Sequence, residues 1–212
     1  MNEAAAKARI EELTDVSRET IARLEAYADL LDRWNPKINL VSKSTLKEKW
    51  VRHFLDSAQI WPHIPADARI LTDIGSGAGF AGLVLAVIAA EKSPDMKVYL
   101  VESDARKCAF MRNVARELGI APEIHTSRIE QVEIQRADVL TARALASLDQ
   151  LLQFSAHILC ENGLCLFLKG QGCDSEVIDA RESWDFEAEL IKSETHDHGV
   201  IAKLTGIKAR GE

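Results

Sequence analysis

The chain has 212 residues, 47% of them hydrophobic, enough for one domain with a full core. No run approaches the roughly 18 uninterrupted apolar residues of a membrane span, and the polar start "MNEAAAKARIEELTD" lacks the basic-then-apolar pattern of a signal peptide. A net charge of −7 argues against a protein that coats nucleic acid without selectivity. The charge is uneven, however. Between Lys43 and His53 the bases Lys43, Lys47, Lys49 and Arg52 meet one acid, Glu48, whereas between Asp174 and Asp197 nine acids meet only Arg181 and Lys192. A basic end is compatible with the acidic total. The four cysteines show no C-x-x-C spacing, so reduced thiols and a cytoplasmic location are expected.

The first 65 residues read as a helical extension. Ser17 is placed to cap a helix in which Ile21, Leu24, Ala28 and Leu31 recur at helical spacing. Pro36 is expected to stop it, because the residue before a proline disfavours the α region. A second helix is expected from Thr45 to Trp61, with Leu46, Trp50, Phe54, Ala58 and Trp61 on one stripe. The loop "PHIPADAR" then divides residues 1–65 from a domain of residues 66–212, the two forming one compact unit.

Past that loop strands and helices alternate. "RILTDIG" is a strand, Phe80 to Glu91 a helix, "KVYLVES" a strand, and Asp104 to Leu118 a helix closed by Gly119. "PEIHT" and "ADVLTA" follow as strands and Ser147 to Cys160 as a helix. "GLCLFLKG" is apolar enough to be buried on both faces. "FEAELIKS" and "GVIAKLTGIKA" close the chain as a hairpin. Seven strands alternating with helices imply an α/β fold around a mostly parallel sheet.

Ligands of such sheets sit beyond the carboxyl ends of the strands. There the first strand runs into "LTDIGSGAGFAG", with Gly75, Gly77, Gly79 and Gly82. Gly77 to Gly82 satisfies G-x-G-x-x-G, a weak dinucleotide signal by itself. Asp73 tips the balance. A carboxylate two residues before Gly75 can take an ammonium, directly or through water, but would repel a pyrophosphate. Glu102 ends the second strand, placed to accept from ribose hydroxyls. An amino acid at one end and a ribose at the other describe S-adenosyl-L-methionine.

Beyond the loop, "LLDRWNPKINLVS", "VRHFLDSAQI", "LVESDARKCAFMRNVARELG", "SRIE", "TARALASLDQLL" and "GLCLFLKG" occur in a fixed order across nearly the whole chain. This set resembles the bacterial 16S rRNA guanine-N7 methyltransferase family, RsmG or GidB. The resemblance implies a class I S-adenosylmethionine-dependent methyltransferase fold, Rossmann-like, with an N-terminal helical extension. It implies cofactor contacts at Gly75, Phe80, Ile129 and Glu130. It places Arg143 between cofactor and substrate, positioning the guanine or the cofactor. The implied partner is 16S rRNA, free or within the small ribosomal subunit or an assembly intermediate. Where the family usually has proline, this chain has Ala81.

The chemistry fits the residues in one respect. Guanine N7 carries an in-plane lone pair and needs no deprotonation, so no general base is required, and none stands out. No D/N-P-P-Y/F segment of exocyclic-amine methyltransferases follows the fourth strand, where "TARA" stands instead. Cytosine C5 methylation needs a cysteine nucleophile, but Cys108 and Cys165 read as packing residues. Arg143 is the candidate to address guanine O6 or a phosphate. Lys47, Lys49, Arg52, Arg106, Arg128 and Lys169 are candidate RNA contacts, with Lys107, Arg112 and Arg116 nearby. His53 reads as a structural link between the N-terminal helices and the sheet, and Asp56 as a partner for Arg52 one turn away. His196 and His198 supply two ligands, too few for a metal site, so no metal is expected. Two rival readings remain open: a small-molecule methyltransferase, and a nucleotide-binding protein without catalysis.

Overall fold

The computed structural model describes residues 1–211; Glu212, the last residue of the expected 66–212 domain, lies outside them. Helix α1 (Glu3–Thr14) begins at Asn2, whose side chain accepts from the Ala5 amide. Helix α2 (Arg18–Ile38) begins at Ser17, as its sequence predicts. Pro36 does not stop it. Proline lies in the last turn, so the helix runs only two residues past it; the Asn39 N–H then closes the end on the Asn35 carbonyl at 3.0 Å, and Asn39 ends the helix with φ 49°. Buried Asn35 locks this end, its Oδ1 accepting from Val41 N–H at 2.8 Å.

The expected helix over 45–61 is replaced by short pieces: α3 (Lys43–Leu46), a π-helical turn (Trp50–Leu55), α4 (Asp56–Ala58) and a 3-10 turn (Trp61–His63). The π turn is wider than an α turn. It buries His53 and Leu55 along with Trp50 and Phe54, a broader face than a 3.6-residue stripe predicts.

The strands are β1 (Ile70–Ile74), β2 (Lys97–Glu102), β3 (Glu123–Thr126), β4 (Ala137–Arg143), β5 (Leu159–Lys169), β6 (Trp184–Lys192) and β7 (Val200–Ala209). They form one sheet in the order β3-β2-β1-β4-β5-β7-β6, with β7 antiparallel to both neighbours and the other pairs parallel. The connecting helices are α5 (Gly82–Lys92), α6 (Ala105–Leu118), α7 (Leu148–Ile158) and α8 (Cys173–Ala180). Helix α8 is unanticipated: its buried Cys173 and Ala180 give too sparse an apolar pattern amid acids.

Strand β5 shows how the sheet is covered. Leu164, Leu166 and Leu168 join a core shared with α1, α2, α5 and α6, while Cys165 and Phe167 point to α7 and α8 on the other face. Ala6, Ile10, Leu24 and Tyr27 of the N-terminal helices lie in the same buried cluster as Leu100 of β2 and Phe110 of α6. Strand β1 sits between β2 and β4, so the strand order reverses beside it. The carboxyl ends of β1, β2, β4 and β5 carry the glycine loop, Glu102, Arg143 and Lys169.

Candidate active site

The glycine loop begins at Gly75, with φ +64°. A Cβ there would also lie 2.5 Å from Leu145 Cδ1, at the end of a half-buried side chain, so the left-handed φ is the main reason for glycine. The loop is anchored from both sides. From β2, Glu102 accepts from Gly77 N–H at 2.9 Å through Oε2, and from Asp104 N–H at 2.8 Å through Oε1. From α2, buried Tyr27 donates its hydroxyl to the Ala78 carbonyl and stacks on Phe80 with ring centroids 5.3 Å apart. The Phe80–Ala81 peptide is cis.

A cleft of about 420 Å³ opens beside this loop. Gly75, Gly77, Glu102, Arg128, Ile129 and Glu130 line it, together with Lys107 and Leu145. Six residues chosen from sequence therefore meet in one place, drawn from the ends of β1, β2 and the turn after β3. Oε1 of Glu102 also accepts from the Ser103 hydroxyl at 3.5 Å, and Oε2 retains a lone pair for a further donor. A carboxylate, bare loop backbone and the apolar Ile129 suit the ribose and adenine of S-adenosyl-L-methionine.

Asp73, Gly79, Phe80 and Arg143 do not line that cleft. Asp73 is fully buried, which of the two expected contacts with an ammonium, direct or through water, disfavours the direct one. Its Oδ1 accepts from Thr141 Oγ1 at 2.7 Å, and its Oδ2, without a hydrogen-bond partner, lies against Gly82. Burial raises its pKa to about 6. Gly79 and Phe80 are turned into the core, against Leu83 and Tyr27.

A second cavity, about 320 Å³, adjoins the first across Ala144, Leu145 and Ala146. Arg143, Arg52, His53, Asp56 and Lys169 are on its walls. Arg143 Nη2 donates to His53 Nδ1 at 2.7 Å, and Nη1 lies 3.5 Å from Asp56 Oδ2. Asp56 also accepts from the Thr195 hydroxyl. The sequence reading of Asp56 as partner to Arg52 is thus corrected: Asp56 turns toward Arg143. Lys169 is not free for phosphate, because its ammonium pairs with Glu176 at 2.7 Å and donates to the Ala146 carbonyl at 2.8 Å.

Residues 20–201 match the family described as rRNA small subunit methyltransferase G. The chain belongs to this family. It is 48% identical over 194 residues to the Ribosomal RNA small subunit methyltransferase G of Ruegeria sp., covering 92% of this chain and 94% of that one. It is 51% identical over 189 residues to the same-named protein of Paramagnetospirillum magneticum, covering 89% and 90%. Among solved structures, cofactor-bound Rv0187 from MTB superposes with a TM-score of 0.57 at 16% identity, covering 87% of this chain and 90% of that one. That likeness is one of fold, the class I methyltransferase arrangement.

The remaining predicted positions are scattered. Lys47 and Arg128 are exposed. Lys49 pairs with Asp32 at 3.0 Å and Arg106 with Asp104 at 3.0 Å. Arg112 donates to the Ile124 carbonyl and Thr126 Oγ1, and Arg116 pairs with Glu117. Among the described residues no three metal-ligating side chains gather, His196 and His198 included, and no helix is long and apolar enough to cross a membrane. Cys108 and Cys165 are buried, as their apolar neighbours predict. Tyr27 escaped sequence reasoning, since an aromatic residue on a helical stripe looks like any core residue.

Two expected results follow from this geometry. Glu102→Ala removes the acceptor of the Gly77 and Asp104 amides, on the wall of the cleft expected to take the ribose. It should weaken S-adenosyl-L-methionine binding roughly 10- to 100-fold by calorimetry, at about 1.5–3 kcal/mol for a charged hydrogen bond; an unchanged Kd would contradict the placement.

The second concerns His53. Burial first, then the charges of Arg143 and Arg52, push its pKa down to about 3. In the unfolded chain a histidine takes up a proton near its ordinary value of about 6.5. His53 therefore contributes stability that is complete above that value and is lost as pH falls from there toward 3. Between about pH 6 and 4, wild-type stability should fall faster than that of His53→Asn, by up to about 1.4 kcal/mol per pH unit. Denaturant unfolding at stepped pH reads this, and parallel curves for the two proteins would refute it.

Proposed function

We propose that the protein transfers the methyl group of S-adenosyl-L-methionine to N7 of a guanine in the decoding-region loop of 16S rRNA, acting in the cytoplasm on rRNA or small subunits. One observation carries the reading: two adjoining cavities share the Ala144–Ala146 wall, one suited to the cofactor and one carrying Arg143. When bound, the cofactor supplies a sulfonium methyl. The guanine N7 lone pair forms the new N–C bond as the C–S bond breaks, and the sulfur keeps that electron pair. No proton moves at N7.

The chain has to place two atoms in line and keep water out. Glu102 and the glycine loop hold the cofactor end. Arg143 addresses guanine O6 or a neighbouring phosphate, leaving N7 open. Transfer to N7 asks for no base, and the titratable groups closest to Arg143 and the glycine loop are already engaged. Asp73 is sealed in the core, Asp56 is engaged by Thr195 and Arg143, and His53 already uses its unprotonated nitrogen. A cysteine route to C5 of cytosine is unsupported, since the Cys165 thiol is raised by burial and Cys108 Sγ points to the Glu102 carbonyl.

Lys47, exposed, and Arg52, on the wall of the second cavity, are the best-placed cations for the RNA backbone. Lys47→Glu with Arg52→Glu should weaken small-subunit binding and flatten its salt dependence. The log–log slope should drop by roughly 0.7–0.9 for each phosphate left without its cation. An unchanged affinity and slope would remove this surface from the interface.

The function itself is tested by product formation with and without RNA. S-adenosylhomocysteine should accumulate only when 16S rRNA or small subunits lacking the modification are added. Turnover without RNA would point to a small-molecule substrate. Binding of NAD in place of S-adenosyl-L-methionine would point to a nucleotide-binding protein without this chemistry.

A further inference from the structure

His53 lies where three elements meet: the π turn, the glycine loop and the end of β4. It is 4% exposed. Its ring stacks on Phe80 of the loop, with centroids 4.9 Å apart. Its Nδ1 faces Arg143 Nη2 at 2.7 Å and its Nε2 faces Thr45 Oγ1 at 3.0 Å. A guanidinium only donates, so Nδ1 must be the bare nitrogen and Nε2–H must donate to Thr45. The imidazole is therefore neutral and of one tautomer. On the other side Asp56 Oδ2 stands 3.5 Å from Arg143 Nη1, which has no hydrogen-bond partner, and the guanidinium also lies 5.7 Å from the Phe80 ring centroid. One side of the arginine is thus held by an acceptor that carries no charge. A carboxylate in that place would orient the guanidinium equally well but would add a second negative charge beside that of Asp56.

We propose that His53 is a positioning residue for methyl transfer: its neutral Nδ1 fixes the Arg143 guanidinium on the wall of the substrate cavity, from the side opposite the Asp56 carboxylate, so that the remaining donors face the guanine or its phosphate. This rests on the methyltransferase reading above and on Arg143 facing the substrate. It accounts for a buried histidine joined to both the helices and the sheet, a link that a purely apolar contact would provide more simply.

The test is a double-mutant cycle on methyl transfer to small subunits lacking the modification, with cofactor saturating. His53→Ala should lower kcat/KM for the small subunit about 10- to 100-fold, with cofactor Kd within about twofold of wild type. His53→Asn, whose Oδ1 can accept where Nδ1 did, should stay within about threefold of wild type. His53→Phe keeps a ring against Phe80 but removes the acceptor, and should match His53→Ala, which covers the case in which the alanine variant folds poorly. In an Arg143→Ala background, His53→Ala should cost nothing further. The proposal is overturned if His53→Asn is as deficient as His53→Phe. It is equally overturned if the losses from His53 and Arg143 multiply, or if Arg143→Ala alone is fully active. Wild-type protein that transfers no methyl at all would instead overturn the underlying reading of function.

Discussion

Arg143→Ala should lower kcat/KM for methyl transfer about 100-fold or more, with cofactor affinity nearly unchanged. A hydrogen bond from a charged donor in a site cleared of water contributes about 3 kcal/mol, and about 1.4 kcal/mol corresponds to a factor of ten. Arg143 is a wall of the second cavity and not of the cofactor cleft, so the loss should fall on the substrate side. Arg143→Lys should recover little, because a lysine cannot reach His53 and the substrate with the same fork of donors. Single-turnover rates with small subunits, set beside calorimetric cofactor binding, separate the two effects. Near-wild-type turnover by Arg143→Ala would remove the arginine from the chemistry, and a parallel fall in cofactor affinity would place it in the other cleft.

The second large effect is on stability. A Cβ at Gly82 would lie 1.9 Å from Leu100 Cδ2 and 2.7 Å from Asp73 Cβ. Neither neighbour can move, since Leu100 and Asp73 are fully buried in adjacent strands. Gly82→Ala should cost about 3 kcal/mol or more, at the upper end of overpacking penalties. At roughly 2–4 °C per kcal/mol for a chain of this size, the unfolding midpoint should drop by about 6–12 °C. Gly77→Ala makes a control in the same loop. Its Cβ would meet nothing closer than 3.8 Å, leaving only the strain of φ +59°, about 1–2 kcal/mol. Equal midpoints for the two variants would mean that close packing under the loop is not what fixes glycine at position 82.

The parts of the molecule that were legible are those where chemistry is written locally. Ser17, Asp104 and Gly119 mark helix ends in the order of the chain, and the structure uses all three. The run Gly163 to Lys169 is apolar on both faces, and it forms part of a central strand covered on both faces. Gly75, Gly77 and Glu102 announce a ligand site by type and spacing, and they share one cleft.

What escaped depends on partners distant in sequence. Nothing near Pro36 reveals that Asn35 will lock the chain end through Val41. The π turn cannot be seen in an apolar stripe, because its extra width matters only against the packed loop. Asp56 pairs with Arg52 on a regular helix, but β4 brings Arg143 alongside and takes the carboxylate. Lys169 looks available in the sequence because Glu176 lies seven residues on, in a helix the pattern does not reveal. Asp73 reads as a partner for an ammonium, directly or through water, and its sequence position does not show that the sheet seals it beneath the loop it precedes.

The central claim is that the adjoining cavities deliver a methyl group to N7 of a guanine in 16S rRNA. Its most direct test uses labelled S-adenosyl-L-methionine, with 16S rRNA and small subunits that lack the modification, followed by digestion to nucleosides. The account predicts label in 7-methylguanosine, dependent on Arg143. Label in another nucleoside, or transfer equally efficient with Arg143→Ala, would contradict it.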